Sequence, residues 1–326
     1  MNLSALRIVY MGTPDFAVAP LDTLLQAGAR VVAVITAPDR PAGRGKKIRY
    51  PAVKEYILQN KPHIPLMQPE NLKDPGFTEE LRSLAPDLQI VVAFRMLPEV
   101  VWRIPKMGTF NLHASLLPQY RGAAPINHVL INGETQTGVT TFLIDEKIDT
   151  GNILLQQSLS IGEQENAGEL HDRLMKEGAK LVVQTVKELA TGKLKAKAQD
   201  SLIQDPGELK KAPKIFKEDC KIHWEGSGKQ TYNLIRGLSP YPGAFTYLHR
   251  EHGEAVLCKI FAASFIREEH DLAPGSIQSD GKSYLQVSVP EGWIKVHSIQ
   301  QEGKRRLAIK DFLAGTPLTT EPCRFS

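Results

Sequence analysis

The chain has 326 residues, 42% of them hydrophobic and 23% charged, with a formal net charge of +4. That length predicts two domains of ordinary size, and no apolar run approaches the roughly 20 residues a membrane helix requires, so a soluble protein without a membrane segment is expected. The three cysteines, Cys220, Cys258 and Cys323, are odd in number and widely spaced, which suits neither a disulfide framework nor a thiolate metal centre; a reducing cytoplasm and no metal are expected.

In chain order, the runs LRIVYM (6–11), RVVAVIT (30–36), IPLMQ (64–68), LQIVVAF (88–94) and GTFNLH (108–113) alternate with amphipathic stretches. This predicts a mostly parallel sheet with helices on both faces, an α/β domain. Between the first two runs a helix is expected, capped by Asp15 and stopped by Gly28. GVTTFLIDE (138–146) and NILLQQSLSI (152–161) read as strands flanking a turn at Asp149-Thr150-Gly151. A long helix follows from a cap at Asn166 to Gly192. Residues 191–208 carry Lys, Gln and Asp with weak periodicity and a Pro206-Gly207 break, the composition of an exposed basic linker.

Beyond the linker, EAVLCKIFAASFI (254–266), GSIQ (275–278), KSYLQVSVP (282–290) and WIKVHSI (293–299) are separated by turn residues, the rhythm of a small β-barrel. Cys220 and His223 are expected on strands, and SPYPGAF (239–245) reads as a turn-rich crossover. The expected organisation is a domain over 1–190, a linker over 191–208 and a barrel over 209–326. Basic and acidic residues balance over 1–189, so the net positive charge falls wholly on 190–326, which matters for a polyanionic partner.

The first-strand turn YMGTPDF lacks G-x-G-x-x-G, since only Gly12 is present, and nicotinamide or flavin binding loses its main support. Gly12 reads as a turn glycine or as a point where a ligand or loop nears the strand end. At the end of the fifth run, Asn111 and His113 share one face, because strand side chains repeat every second residue. Open α/β sheets bind their ligands at that end. A lone buried histidine is more often a core residue, but here an amide stands beside it and the later turn offers Asp149 as an orienting carboxylate. Such a set suits acyl transfer to an amine: the imidazole takes a proton, an amide N–H stabilises the oxyanion, and a carboxylate orients the ring. Ser115 is the rival nucleophile, though closeness in sequence does not make a hydrogen-bonded dyad.

The pattern N-x-H-x-SLLP-x-x-RGAAP (111–125), followed by D-x-x-x-D-T-G at Asp145 to Gly151, resembles the formyltetrahydrofolate-dependent formyltransferases. PDRPAGRGKK (38–47), GTPDF near the start and the barrel-like portion extend the resemblance over essentially the whole chain. It implies a Rossmann-like formyltransferase domain followed by a small barrel of the oligonucleotide-binding type. It further implies 10-formyltetrahydrofolate as formyl donor, Asn111, His113 and Asp149 as the catalytic set, and Ser115, Leu116, Leu117 and Pro118 as lining of the tetrahydrofolate site. Where many relatives read A-Y-G-x-x-L-P, this chain has AFRMLP (93–98), one residue shorter, with Arg95 and Met96 in place of a small element.

RPAGRGKKIR (40–49) concentrates Arg40, Arg44, Lys46, Lys47 and Arg49 around two glycines. A charge run of this kind is usually a solvated face; it can also follow a phosphate backbone, with affinity that falls steeply with salt. Lys193, Lys195, Lys197, Lys210, Lys211, Lys214 and Lys217 extend the basic character. By resemblance the acceptor is the α-amine of methionine esterified to initiator tRNA, bound by Arg40, Arg44, Lys46, Lys47, Lys210 and Lys211, with Arg44 wedged against the end of the stem. A formyltransferase for an amino sugar nucleotide would share Asn111, His113 and Asp149 without needing the basic loop. An RNA-binding module with no turnover is the reading from another class. A monomer is expected. Trp102, Trp224 and Trp293 read as packing residues, Tyr241 as a stacking candidate, and His128 and His171 as helix residues without a motif.

Overall fold

The computed structural model describes residues 3–42, 47–251, 253–316, 318 and 323–326, and of 41, 42 and 47 the backbone alone. In chain order the elements begin β1 (Arg7–Gly12), α1 (Val18–Gln26), β2 (Arg30–Ile35), β3 (Arg40–Ala42), β4 (Lys47–Arg49), α2 (Ala52–Asn60), β5 (Leu66–Met67), α3 (Pro75–Ser83), β6 (Leu88–Val92), α4 (Glu99–Trp102) and β7 (Thr109–His113). They continue α5 (Pro125–Ile131), β8 (Gln136–Leu143), β9 (Ile153–Ser160), α6 (Ala167–Ala190), α7 (Gly228–Gly237), β10 (Ala244–His249), β11 (Val256–Arg267), β12 (Ile277–Ser279), β13 (Leu285–Val289), β14 (Gly292–Gln301), β15 (Leu307–Ala308), α8 (Ile309–Gly315) and β16 (Arg324–Phe325).

Two compact units result, one of residues 1–122, 137–159 and 171–211, the other of 123–136, 160–170 and 212–326. In the first, a seven-stranded sheet runs β5-β2-β1-β6-β7-β8-β9. From β5 to β7 the pairings are parallel; β8 joins β7 antiparallel. β6 is buried at all five positions, as a strand covered on both faces must be, and it reads as the near-continuous apolar run LQIVV. Val9, Met11, Ala33, Ile35, Phe77, Leu81, Val91 and Val101 form one core cluster. Each large aliphatic side chain buried there stabilises the unit by ~1.5–3 kcal/mol.

The helix expected over 15–28 begins as a 3-10 turn, Asp15–Ala17, then becomes α1; Pro14 holds the cap position and Asp15 makes no side-chain cap bond. Asp15 therefore acts through its charge in the first turn, where the helix dipole favours an anion. Gly28, at φ +78, ends the helix as expected. A Cβ on Gly12 would meet Ala17 Cβ at 2.5 Å and Val92 O at 3.2 Å, so this glycine serves the packing of the first turn and of β6 on β1. The Asn166 cap is present: its Oδ1 accepts from the N–H of Gly168 and Glu169, and Glu169 Oε2 accepts from the N–H of Asn166.

The linker expected over 191–208 is instead built into the first unit. Lys197 pairs with Ile153 through two backbone hydrogen bonds of 2.8 Å, and Gln199 is only 1% exposed. Backbone that finds partners along a strand edge is held there despite polar composition, because the edge groups need partners.

The second unit holds an antiparallel sheet in the order β12-β13-β14-β11-β10-β16, with β15 beside β14. A bridge between Ser276 and Arg324 links the two ends into a nearly closed barrel. Trp224 stacks on Phe325 at 5.8 Å over a core with Cys258, Ile260, Val287, Ile294, Val296 and Phe312. Cys220 lies at the end of a 3-10 turn and not on a strand, its thiol donating to Phe216 O at 3.2 Å. The crossover 239–245 already enters β10 at Ala244. Among the described residues no group of three His, Cys, Asp or Glu could hold a metal, and no helix is long and apolar enough to cross a membrane.

The turn between β8 and β9 tolerates only glycine at 151: an added Cβ would stand 1.7 Å from the Leu143 carbonyl oxygen. Gly151→Ala is expected to cost ~1–3 kcal/mol through backbone displacement. A melting-temperature drop on the order of 5 °C by circular dichroism checks it; an unchanged midpoint would mean that the turn does not pass under Leu143.

Candidate active site

The sheet reverses its order at β1, with β2 and β5 on one side and β6 onward on the other. Strand ends at such a reversal diverge and leave a crevice. β7 stands next to it, with Val92 of β6 opposite Leu112. Leu112 packs toward Gly178 of α6, so that face of β7 is covered by helix, and Thr141 beside it hydrogen-bonds Thr185 of α6 at 2.8 Å. By alternation Asn111 and His113 turn to the other face.

The His113 side chain is 7% exposed and stands edge-on to Phe142 at 6.4 Å. Its Nε2 lies 2.9 Å from the Tyr120 carbonyl. A carbonyl can only accept, so Nε2 carries the hydrogen, and in the neutral ring Nδ1 carries the lone pair. Nδ1 lies 3.8 Å from Asp149 Oδ2, an ion-pair distance longer than a hydrogen bond. Asp149 Oδ2 also accepts the Gly122 N–H at 2.9 Å. The ring thus has one nitrogen fixed by backbone and one open, with a carboxylate near enough to stabilise positive charge on it.

Both partners sit on left-handed backbone, Tyr120 at φ +61 and Asp149 at φ +55. For non-glycine residues this costs ~1–2 kcal/mol each and persists only when the surroundings enforce it. Gln199 supplies part of that enforcement: its Nε2 donates to Asp149 O at 2.9 Å and Gly151 O at 2.7 Å, and its Oε1 accepts from Arg121 Nε at 3.0 Å and Nη2 at 2.7 Å. Within the turn, Asp145 Oδ1 accepts from the Lys147 N–H and the Thr150 hydroxyl.

Asn111 is half-buried, and its amide has no hydrogen-bond partner among the described residues. Ser115 is fully buried; its hydroxyl donates to Gln119 O at 2.7 Å, which leaves no bond to His113 and no free hydroxyl for the nucleophile reading. Leu117 points inward against Phe142 and Ile153, while Leu116 and Pro118 stay half-buried. Of the four residues of SLLP, the latter two keep surface to offer a ligand. In the AFRMLP segment, Arg95 turns away to donate to the carbonyls of Pro69 and Glu70, and Met96 is 78% exposed. Burial, and after it the charge of Arg40, pushes the Arg95 guanidinium below its ordinary value. The backbone N–H groups of Phe94, Arg95, Met96 and Leu97 find no acceptor among the described residues. They follow β6 directly.

Arg40 and Arg49 are exposed and face each other across the β3–β4 hairpin. Its foot is closed by Lys54, which bonds Asp39 Oδ2 at 2.6 Å and Gln68 Oε1 at 2.8 Å, while Gln68 Nε2 bonds Asp39 Oδ1 at 2.8 Å. Arg44 and Lys46 lie outside the described residues, and of Lys47 only the backbone is described. Lys210 and Lys211 are exposed, and their backbone is fastened beside the site: Tyr120 N donates to Lys210 O at 2.7 Å, and Arg121 bridges Lys211. Tyr120 fills an unspecified position of the N-x-H-x-SLLP-x-x-RGAAP pattern, and Gln199 stands outside the sequence motifs. Gln199 gives no signal at all, since a single Gln in a weakly periodic polar stretch is indistinguishable from a solvated one.

The formyl transferase family matches residues 6–186, and the C-terminal domain of formyl transferases matches residues 214–317. A methionyl-tRNA formyltransferase of Bacteroides fragilis is 54% identical over 319 residues, 98% of each chain. One from Flavobacterium johnsoniae is 50% identical over 98% of this chain and 99% of its own. Among solved structures, an N-formyltransferase from Helicobacter canadensis in complex with folinic acid and dTDP-3-aminofucose superposes with a TM-score of 0.65 at 18% identity, over 93% of this chain and 100% of that one. At that identity the likeness is one of fold. At half identity over nearly the full length, the first two relatives are decisive: the chain belongs to the formyl transferase family, and within it to the methionyl-tRNA formyltransferases.

Proposed function

We propose that the chain transfers the formyl group of 10-formyltetrahydrofolate to the α-amine of methionine esterified to initiator tRNA, with His113 as general base, Asp149 as its electrostatic partner and Asn111 as oxyanion donor. The observation that carries the assignment is the convergence of His113 Nδ1 and Asp149 Oδ2, 3.8 Å apart, at the carboxyl end of β7. The amine nitrogen attacks the formyl carbon, a C–N bond forms, and the bond to the folate nitrogen breaks. Nδ1 takes the proton the amine sheds, and the positive ring is offset by Asp149; the same proton then serves the departing folate nitrogen. The free Asn111 amide suits the oxygen that becomes negative on the way.

A tetrahydrofolate-type donor fits the four open amides of 94–97 and the half-buried surfaces of Leu116 and Pro118. When bound it supplies the activated formyl group; the chain supplies position and proton. Exposed Arg40, Lys210 and Lys211, with Arg44, Lys46 and Lys47 of the same loop, suit the phosphates of an acceptor stem.

Incubation with 10-formyltetrahydrofolate and charged initiator tRNA is expected to yield formylmethionine, and His113→Ala to lower the rate roughly 10²- to 10⁴-fold. Retained turnover in that variant removes His113 from the mechanism, and comparable turnover of an amino sugar nucleotide removes tRNA as the dedicated acceptor. Arg44→Ala is expected to raise KM for the tRNA and to make the loss of activity with salt shallower, because one fewer phosphate is neutralised, with donor binding unchanged. Parallel loss of donor binding would show that the loop has another task.

A further inference from the structure

We infer that Gln199 is a positioning residue for formyl transfer, whose buried carboxamide locks the two loops that hold His113 and Asp149 in register. The inference rests on the reading of that pair as the acid–base machinery. Glutamine is seldom fully buried, and Gln199 is only 1% exposed. Its amide uses every valence it has, two donated bonds and two accepted ones. The donated bonds go to the Asp149 and Gly151 carbonyls, the accepted ones come from Arg121. Arg121 lies between Tyr120, whose carbonyl takes His113 Nε2–H, and Gly122, whose N–H takes the Asp149 carboxylate. One side chain therefore spans both supports of the imidazole.

The topology makes such a clamp necessary. Because β8 runs antiparallel to β7, with Leu143 opposite Phe110 and Thr140 opposite His113, the β8–β9 connection leaves from the amino end of β7. Asp149 reaches His113 only because that connection folds back over the sheet, and it does so on left-handed backbone at Asp149. A loop in such a conformation relaxes unless neighbours over-determine it. The segment that carries Gln199 is itself held at both ends, by the Ile153–Lys197 pairing and by Tyr120 N to Lys210 O at 2.7 Å. Lys210 N completes the second fastening on Gln119 Oε1 at 2.8 Å. The polar stretch 197–211 is in this sense part of the catalytic apparatus.

Gln199→Glu tests this with little change in volume. Glutamate keeps the acceptor for Arg121 but turns a carboxylate oxygen toward two carbonyls that need a donor. The expected result is a fall in kcat of roughly 10- to 100-fold, as for a small misplacement of a reacting group, with KM for tRNA and donor changed less than about threefold and melting within a few degrees of wild type. Gln199→Leu, which loses both halves, serves as the reference for simple loss of packing. In an Asp149→Asn background, Gln199→Glu is expected to cost little more, because residues that act as one unit are not additive. If Gln199→Glu keeps full kcat while Asp149→Asn loses it, only this inference falls. Additive losses, or a Gln199→Glu defect confined to KM and thermal stability, also overturn it. If Asp149→Asn itself is silent, the inference and the reading of the pair fall together.

Discussion

A backbone carbonyl accepts hydrogen bonds and never donates one, and the Tyr120 carbonyl 2.9 Å from His113 Nε2 therefore decides which nitrogen of the ring is open. With Nε2–H fixed, the neutral imidazole offers its lone pair at Nδ1, where a carboxylate stands 3.8 Å away. Much of the local structure serves to keep that carbonyl and that carboxylate where they are. The Tyr120 peptide is anchored on its other side by Lys210, the Asp149 carboxylate by Gly122, and the Asp149 carbonyl by Gln199. Backbone strain at 120 and 149 is the cost of this geometry, offset by bonds from segments distant in sequence.

The sheet explains why so much support is needed. Had β8 been parallel to β7, the β8–β9 connection would have left from the carboxyl end of β7, beside His113. Because the pairing is antiparallel, that connection starts at the amino end of β7 and has to double back. Gly151 permits the close pass under Leu143, and Asp145 braces the turn from inside. The parallel part of the sheet contributes the crevice beside β1 and β6, and the open amides after β6 give it polarity suited to a heterocycle with hydrogen-bonding edges. A basic hairpin, closed at its foot by Asp39, Lys54 and Gln68, and the lysine-bearing segment at 193–211 belong to the same unit as this crevice.

Local pattern was enough to reveal the alternation of strands and helices, the Asn166 cap, the stop at Gly28, the β-rich C-terminal portion and the shared face of Asn111 and His113. Each of these depends on periodicity or on a backbone preference that one residue type expresses by itself. The motifs N-x-H and D-T-G likewise carry their spacing with them. Tertiary structure alone decided that Asp149 folds back onto His113, that Ser115 is spent on the Gln119 carbonyl, and that residues 191–208 are bound into the first unit through a buried Gln199. It also decided that 123–136 and 160–170 group with the barrel residues. The physical reason is the same in each case. A polar side chain or a polar stretch of backbone can satisfy its hydrogen bonds with water or with another segment equally well on paper, and only the arrangement of the other segment, set by the sheet order and the direction of β8, settles which of the two occurs.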